Sequence, residues 1–315
     1  MSEKVISMAK KPMTRQQKRL VFYLLMFALP ILQFLLFYIY VNFNSIIVAF
    51  QERTYLGGEF HVAFTTKNVK EAFSFFFSAS GLGMLWRSVQ LLLGQLIIVT
   101  PLALLFSYYI AKEKRGASFF RLALYLPQVV SVVVLGTLFE YLVDRALPAV
   151  FSTKPLLLTN GTVTFYASLI FTLWFSFGTN VLIFTGAMSG VDQSVVESAQ
   201  LDGVTSFQEF LYIYVPMIFS TVTTFVLTGL AGIFNNQMNL HIFFGVNAEF
   251  GASVYGYYFY QIAARDTTGD LLSDGSGNFM SLRALAALGL ISTCILVPMT
   301  LGVRKLLNKY GPSAE

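Results

Sequence analysis

Charge is scarce in this chain. Asp, Glu, Lys and Arg make up 12% of its 315 residues, where a soluble domain carries about 25%. Too few solvating groups remain to cover a water-soluble globule. Disorder is excluded by the opposite count: 56% of the residues are hydrophobic and 32 are Phe, whereas disordered chains are poor in both. Cysteine is nearly absent as well. Cys294 stands alone, so there is no disulfide framework and no thiolate metal site, and its place inside an apolar run predicts a buried, inert packing role. His61 and His241 are the only histidines, which leaves no HExxH zinc pair, and neither a GxSxG nucleophile turn nor a GxxxxGK(S/T) phosphate loop occurs. The chain carries no motif for hydrolytic chemistry of its own.

What it does carry is length in its apolar runs. Stretches at about 20–48, 85–111, 118–142, 162–188, 216–238 and 282–303 are each long enough for a bilayer crossing, which takes about 20 residues. They are too long and too unbroken for barrel strands. The expected fold is an all-α, polytopic, six-helix transmembrane bundle forming one domain. The first run follows a basic segment, as a signal peptide would, but its apolar core is far longer than a signal peptide's and reads as an uncleaved anchor.

The formal charge of +5 does not point to nucleic acid, because the bases form no stripe and gather between the apolar runs. With the N-terminus inside, Lys4, Lys10, Lys11, Arg15, Lys18 and Arg19, then Lys112, Lys114, Arg115 and Arg121, then Arg304, Lys305 and Lys309 fall on the cytoplasmic side. That is the larger share, as the positive-inside rule requires. It predicts a cytoplasmic N-terminus at 1–19, the spans over 20–303 and a cytoplasmic tail at 304–315. Ionisable groups are rare within the spans, which disfavours an ion-coupled secondary transporter with its buried carboxylate or histidine relay. Glu140, Asp144 and Arg145 are expected to form an interfacial pair at a span end. Asn160-Gly161 reads as a turn, and Gly186 with Gly190 offers a GxxxG spacing for close helix packing.

One cytoplasmic segment breaks the charge rule. Residues 189–215 contain no Lys or Arg, only Asp192, Glu197, Asp202 and Glu209. Ser194 with Glu197 and Ser206 with Glu209 have the spacing of capping boxes, so two helices are expected. The first covers about 195–202 and stops at Gly203, the residue best able to take a left-handed backbone. The second places Phe207, Phe210, Leu211 and Tyr214 at helical spacing and meets Pro216. A helix of two turns is marginal in water, so this one must rest on a platform, either its own bundle or a partner.

At the same residues, Glu197, Ser198, Ala199, Asp202, Gly203, Phe207, Phe210, Ile213 and Pro216 resemble the EAA loop of inner-membrane subunits in binding-protein-dependent ABC importers, with Ser198 where Ala is usual. The opening "KRLVFYLLMFALPILQFLLFYIY", "RLALYLPQVVSVVVLGTLFEY", "GTNVLIFTGAMSGV" and "YGYYFYQIA" are similar to the sugar-permease branch of that family. The resemblance implies a type I importer fold in the bacterial inner membrane. It implies four kinds of partner: a second, usually non-identical permease, two ATPase subunits, an extracellular solute-binding protein and membrane lipid. It further implies that ATP and magnesium are held by the ATPases, this chain binding no cofactor and no nucleic acid. The short helix of the loop would be the coupling helix, positioned by Glu197 and Asp202, turned by Gly203 and anchored on the ATPase by Phe207.

The solute would then be a carbohydrate, moved by alternating access; a permease of the same kind for a non-sugar solute is the alternative. A sugar path needs amides and aromatic faces at membrane depth. Trp174 and Asn180 in the fourth span, and Phe234, Asn235, Asn236, Gln237 and Asn239 at the outer end of the fifth, are the candidates. Tyr257, Tyr258 and Tyr260 are expected at the interface. The long polar outer segment at about 239–281, with "ARDTTGDLLSDGSGNF" at 264–279, and the loop 51–83, with an interfacial helix at "FSFFFSAS", are candidate outer contacts for the binding protein.

Overall fold

The computed structural model describes residues 14–56, 59–157, 160–249, 251–268 and 280–312. The basic residues before position 14 and most of the polar stretch 264–279 lie outside the described residues. Four helices are long and apolar enough to cross a membrane: α1 (Arg15–Ala49), α3 (Ala79–Ala111), α6 (Gly161–Ser189) and α12 (Leu282–Tyr310). Their bounds follow the apolar runs, and polar caps set their starts. Thr14 and Gln17 form a reciprocal capping box at α1, while Ser78, Asn160 and Ser281 each accept a first-turn N–H at α3, α6 and α12. Asn160 is thus a helix cap and not the expected turn.

The other two expected spans are bent. Residues 118–142 are divided into α4 (Ala117–Val129) and α5 (Val132–Phe151), which meet at 95°. Pro127 lies in the last turn of α4, and Val130, just past its end, is extended while Ser131 is also non-helical. Residues 216–238 are likewise not one rod. Helix α8 (Ser206–Met217) meets α9 (Phe219–Ala231) at 68°, and the chain after Ala231 runs through turns into the short α10 (Leu240–Phe244). With each bent pair taken as one crossing, the described helices give the six crossings of the expected bundle.

Between α1 and α3 lies an element that the apolar pattern did not announce. Strands β1 (Gln51–Leu56) and β2 (Glu59–Phe64) form an antiparallel hairpin with Gln51 opposite Phe64. Buried Asn68, on α2 (Lys67–Phe76), donates to the Ala49 and Gln51 carbonyls at 3.2 and 2.8 Å and fixes the root of the hairpin. The "FSFFFSAS" stretch is partly in α2, whose Ala72 and Phe76 are buried in the bundle.

π-Helical turns interrupt α3 at Gly94–Val99, α5 at Leu142–Ala146 and α8 at Phe210–Tyr214. In these three a proline follows two residues later, at Pro101, Pro148 and Pro216, whereas a fourth π segment, Phe34–Tyr40 in α1, has none after it. A proline ring has no N–H to give and crowds the carbonyl four residues back. Those carbonyls, at Ile97, Asp144 and Tyr212, fall inside the π turns, which widen the helix where the crowding occurs.

The bundle is held by small residues and buried hydroxyls. Gly94 of α3 faces Leu173, and Gly178 of α6 lies directly against the Leu124 carbonyl of α4. Ser107 Oγ donates to the Val181 carbonyl at 2.9 Å, joining α3 to α6. Gly186 has no neighbour within 4 Å of the position a Cβ would take, so the GxxxG pair does not pack helices here.

Several other expectations are corrected. Cys294 is exposed on α12, not buried, because it lies on the face of the helix opposite buried Leu288 and Ser292. Tyr257 and Tyr258, on α11 (Tyr255–Thr268), are fully buried. The Tyr257 hydroxyl donates to the Gly245 carbonyl at 2.9 Å, and Tyr258 stacks on Phe75 with centroids 4.8 Å apart. No ion pair joins Glu140, Asp144 and Arg145 among the described residues; Asp144 instead accepts the Leu157 N–H at 2.8 Å.

Candidate functional site

The acidic segment folds as the expected pair of helices. Helix α7 (Gln193–Leu201) ends at Gly203, whose φ of 81° is the left-handed conformation. The Val204 N–H bonds the Ala199 carbonyl and the Gly203 N–H bonds the Gln200 carbonyl, the paired bonds of a Schellman ending. Both starts are capped differently from the expectation. Asp192 caps α7, and its bond from the Ser194 N–H holds its carboxyl below the usual carboxylate range. Thr205, with Gln208, makes the capping box of α8. Thr205 and Ser206 are both good caps, and the one that leaves Glu209 free for other partners is used.

Those partners are the main feature missed in the sequence. Glu209 is buried, with a side chain 3% exposed, and its Oε1 is 2.5 Å from the Lys112 ammonium. The Tyr108 hydroxyl donates to the same oxygen at 3.2 Å, and Gln200 Nε2 donates to Oε2 at 3.0 Å. Burial alone would raise the Glu209 pKa. The Lys112 ammonium and the two hydrogen bonds outweigh it and hold the carboxyl below its ordinary value. One carboxylate thus joins the C-terminal end of α3 to both arms of the hairpin. Around it Val196, Tyr108, Phe210 and Tyr214 form a buried apolar cluster with Val181, Phe184 and Met188. The platform under the short helix is therefore, on this face, its own bundle. The only sequence signal was an acid in a loop without bases, one loop after Lys112.

The opposite face is bare. Leu201 is 90% exposed and Phe207 is 67% exposed. Glu197 and Asp202 are also exposed, and neither carboxylate has a partner among the described residues. Ser198 donates back to the Ser194 carbonyl at 2.8 Å, and Ala199 is half-buried. Phe210 is buried against Tyr108, with centroids 5.3 Å apart, and Pro216 lies at the foot of α8, two residues before the bend at Ile218. The expected coupling residues are divided: Glu197, Asp202 and Phe207 point outward, whereas Phe210 belongs to the packing beneath.

A second feature opens between α3, α6 and α9. This cavity of about 320 Å³ is lined by Ser88, Gln95, Thr100, Ser176, Asn180, Thr228 and Asn236 among Leu91, Leu92, Leu96, Phe225 and Ile233. No charged side chain lines it. Asn180 and Asn236 are the two expected path residues that it brings together. The others lie elsewhere. Phe234 is buried against Tyr255, with centroids 5.3 Å apart, and with Asn235 borders a separate cavity beside α1 and α12. Asn239 reaches Thr172 at 3.4 Å, Gln237 is half-buried in the same turn, and Trp174 is exposed on the outer side of α6. Gln95, Thr100 and Thr228 were missed because single polar residues within apolar runs resemble ordinary helix-packing groups.

The sequence profile described as "Binding-protein-dependent transport system inner membrane component" matches residues 100–308. No curated protein sequence matches the chain. Two solved structures share its fold at 17% identity. The first, a bacterial ABC transporter involved in the import of the acidic polysaccharide alginate, has a TM-score of 0.67 over 94% of this chain and 99% of its own. The second, a bacterial alginate ABC transporter in complex with an alginate pentasaccharide-bound periplasmic protein, has a TM-score of 0.68 over 93% and 96%.

Proposed function

The chain belongs to the family of binding-protein-dependent transport system inner membrane components, and from that membership we propose that it is the permease of an ATP-driven carbohydrate importer. The observation that carries the solute class is the uncharged cavity, where hydroxyls and amides of Ser88, Gln95, Thr100, Ser176, Asn180, Thr228 and Asn236 face apolar side chains. A sugar offers a matching surface of hydroxyls and C–H faces, and weak, reversible hydrogen bonds suit a path that must also release its solute. One transporter of the same fold is involved in the import of the acidic polysaccharide alginate, and another is in complex with an alginate pentasaccharide-bound periplasmic protein, which supports the carbohydrate class.

The remaining parts follow from the family. A second permease completes the path, and an extracellular binding protein delivers solute. Two ATPase subunits, which hold ATP and magnesium, dock on the exposed face of the hairpin at Leu201, Phe207, Glu197 and Asp202 from the cytoplasm. Both termini are then cytoplasmic, and 189–217 is the coupling loop.

The test is to purify the chain with its ATP-hydrolysing partner and reconstitute the assembly in vesicles with its binding protein. A neutral oligosaccharide should stimulate ATP hydrolysis and accumulate. Stimulation by a peptide or phosphate ester alone would replace the carbohydrate, and accumulation without any ATPase subunit would defeat the reading entirely.

A further inference from the structure

We propose that Glu209 is a positioning residue that fastens the hairpin to α3, so that α3 carries its movement to the cavity. This rests on the reading of the hairpin as the ATPase docking element. Besides the chain link to α6 through residues 190–192 and the apolar cluster that Val196 shares with Phe184 and Met188, two routes lead from the hairpin into the bundle. One runs along α8 into α9, but that path is bent by 68° at Ile218. The other crosses through Glu209 to Tyr108 on α3 and to Lys112 at its C-cap, and that helix continues to Thr100 and Gln95 in the cavity wall.

The second route is the stiffer joint. The Lys112 and Glu209 side chains are 17% and 3% exposed, so water does not screen the pair, and a shielded pair with further hydrogen bonds resists separation. Gln200 attaches the first arm of the hairpin to the same carboxylate. Aromatic packing closes the joint, with Tyr108 centroids 5.3 Å from Phe210 and 5.1 Å from Tyr214. The hairpin and the Thr100–Ala111 segment therefore move as one body. The yielding point is the π turn at Gly94–Val99, which Pro101 weakens and which contains Gln95. A displacement at the hairpin is thereby converted into a change at the cavity wall.

The experiment uses the complete assembly in vesicles, in a Cys294→Ser background, with spin labels at the exposed positions Gln193 and Glu113. In the native clamp, the distance between labels should be the same with and without ATP, while solute uptake proceeds. In Glu209→Gln, the distance should become ATP-dependent, and solute moved per ATP should fall about tenfold, within the range of coupling between sites. The charge-exchanged pair Lys112→Glu with Glu209→Lys should restore the ratio. ATP-dependent separation of the labels in the native clamp, with uptake intact, would overturn the proposal and leave the importer reading standing. Native protein that takes up solute without ATP would remove both.

Discussion

Gln95 Nε2 on α3 donates to Ser176 Oγ on α6 at 2.7 Å, and Ser176 in turn donates to the Leu173 carbonyl at 3.0 Å. Two helices are joined by side chains at the wall of the cavity, so the bond can be exchanged for one to a solute hydroxyl without loosening either backbone.

Replacing Gln95 by Leu therefore separates binding from folding. Ser176 retains its bond to Leu173, so no buried donor is orphaned and stability changes by about 1 kcal/mol or less. Solute recognition loses an amide. The expected outcome is a rise of about tenfold in the solute concentration for half-maximal uptake, equal to roughly 1.4 kcal/mol, with an unchanged melting temperature in detergent.

Glu209→Gln should behave in the opposite way. It leaves the Lys112 ammonium without its counter-charge in a shielded place, a loss on the order of 3 kcal/mol. The pH dependence has a definite sign. The folded Glu209 pKa is held below its unfolded value, which is about 4.3, so its stabilisation is complete above that value. It is lost as pH falls through the lower, folded pKa. Melting temperatures of native protein and variant should thus differ at neutral pH, still differ near pH 5, and converge only in stronger acid.

Gly203 allows a test of backbone conformation alone. No atom lies within 4 Å of where its Cβ would be, yet its φ is 81°. Any penalty must come from the left-handed backbone, about 1–2 kcal/mol for an ordinary residue. Gly203→Val should keep membrane insertion and lose solute-stimulated ATP hydrolysis, whereas Gly203→Asn, which tolerates this region, should keep most of it.

Gly178 and Gly186 lie on the same helix and make opposite predictions. A Cβ at Gly178 would overlap the Leu124 backbone carbonyl, while Gly186 has open space. Gly178→Ala should destabilise by about 1–3 kcal/mol as α4 is pushed from α6. Gly186→Ala should stabilise by up to about 1 kcal/mol through helix propensity. Thermal unfolding of the purified protein distinguishes the two.

The contrast between these glycines also explains what the sequence could reveal. Four straight crossings were legible because apolar length is a local property, and α6 matches the expected 162–188 to within a residue at each end. The breaks at Val130–Ser131 and Ile218 were not, since a proline allows a bend but neighbouring helices determine its angle. The left-handed Gly203 was readable from residue type. The Glu209–Lys112 pair was not, because both partners look like solvent-facing loop charges until the fold brings α3 beneath the hairpin. Of the candidate path amides, Asn180 and Asn236 line one cavity whereas Asn235 and Asn239 do not, and helical spacing alone does not say which amide turns toward a cavity.

The exposed thiol on α12 gives the chain one reactive handle per copy. A spin label attached to Cys294 in detergent before reconstitution would collide often with oxygen dissolved in the bilayer where acyl chains cover that flank, and less often where a neighbouring subunit covers it. The oxygen-induced relaxation of that label, compared between the isolated chain and the full assembly, thus reports whether this flank of α12 faces lipid or protein.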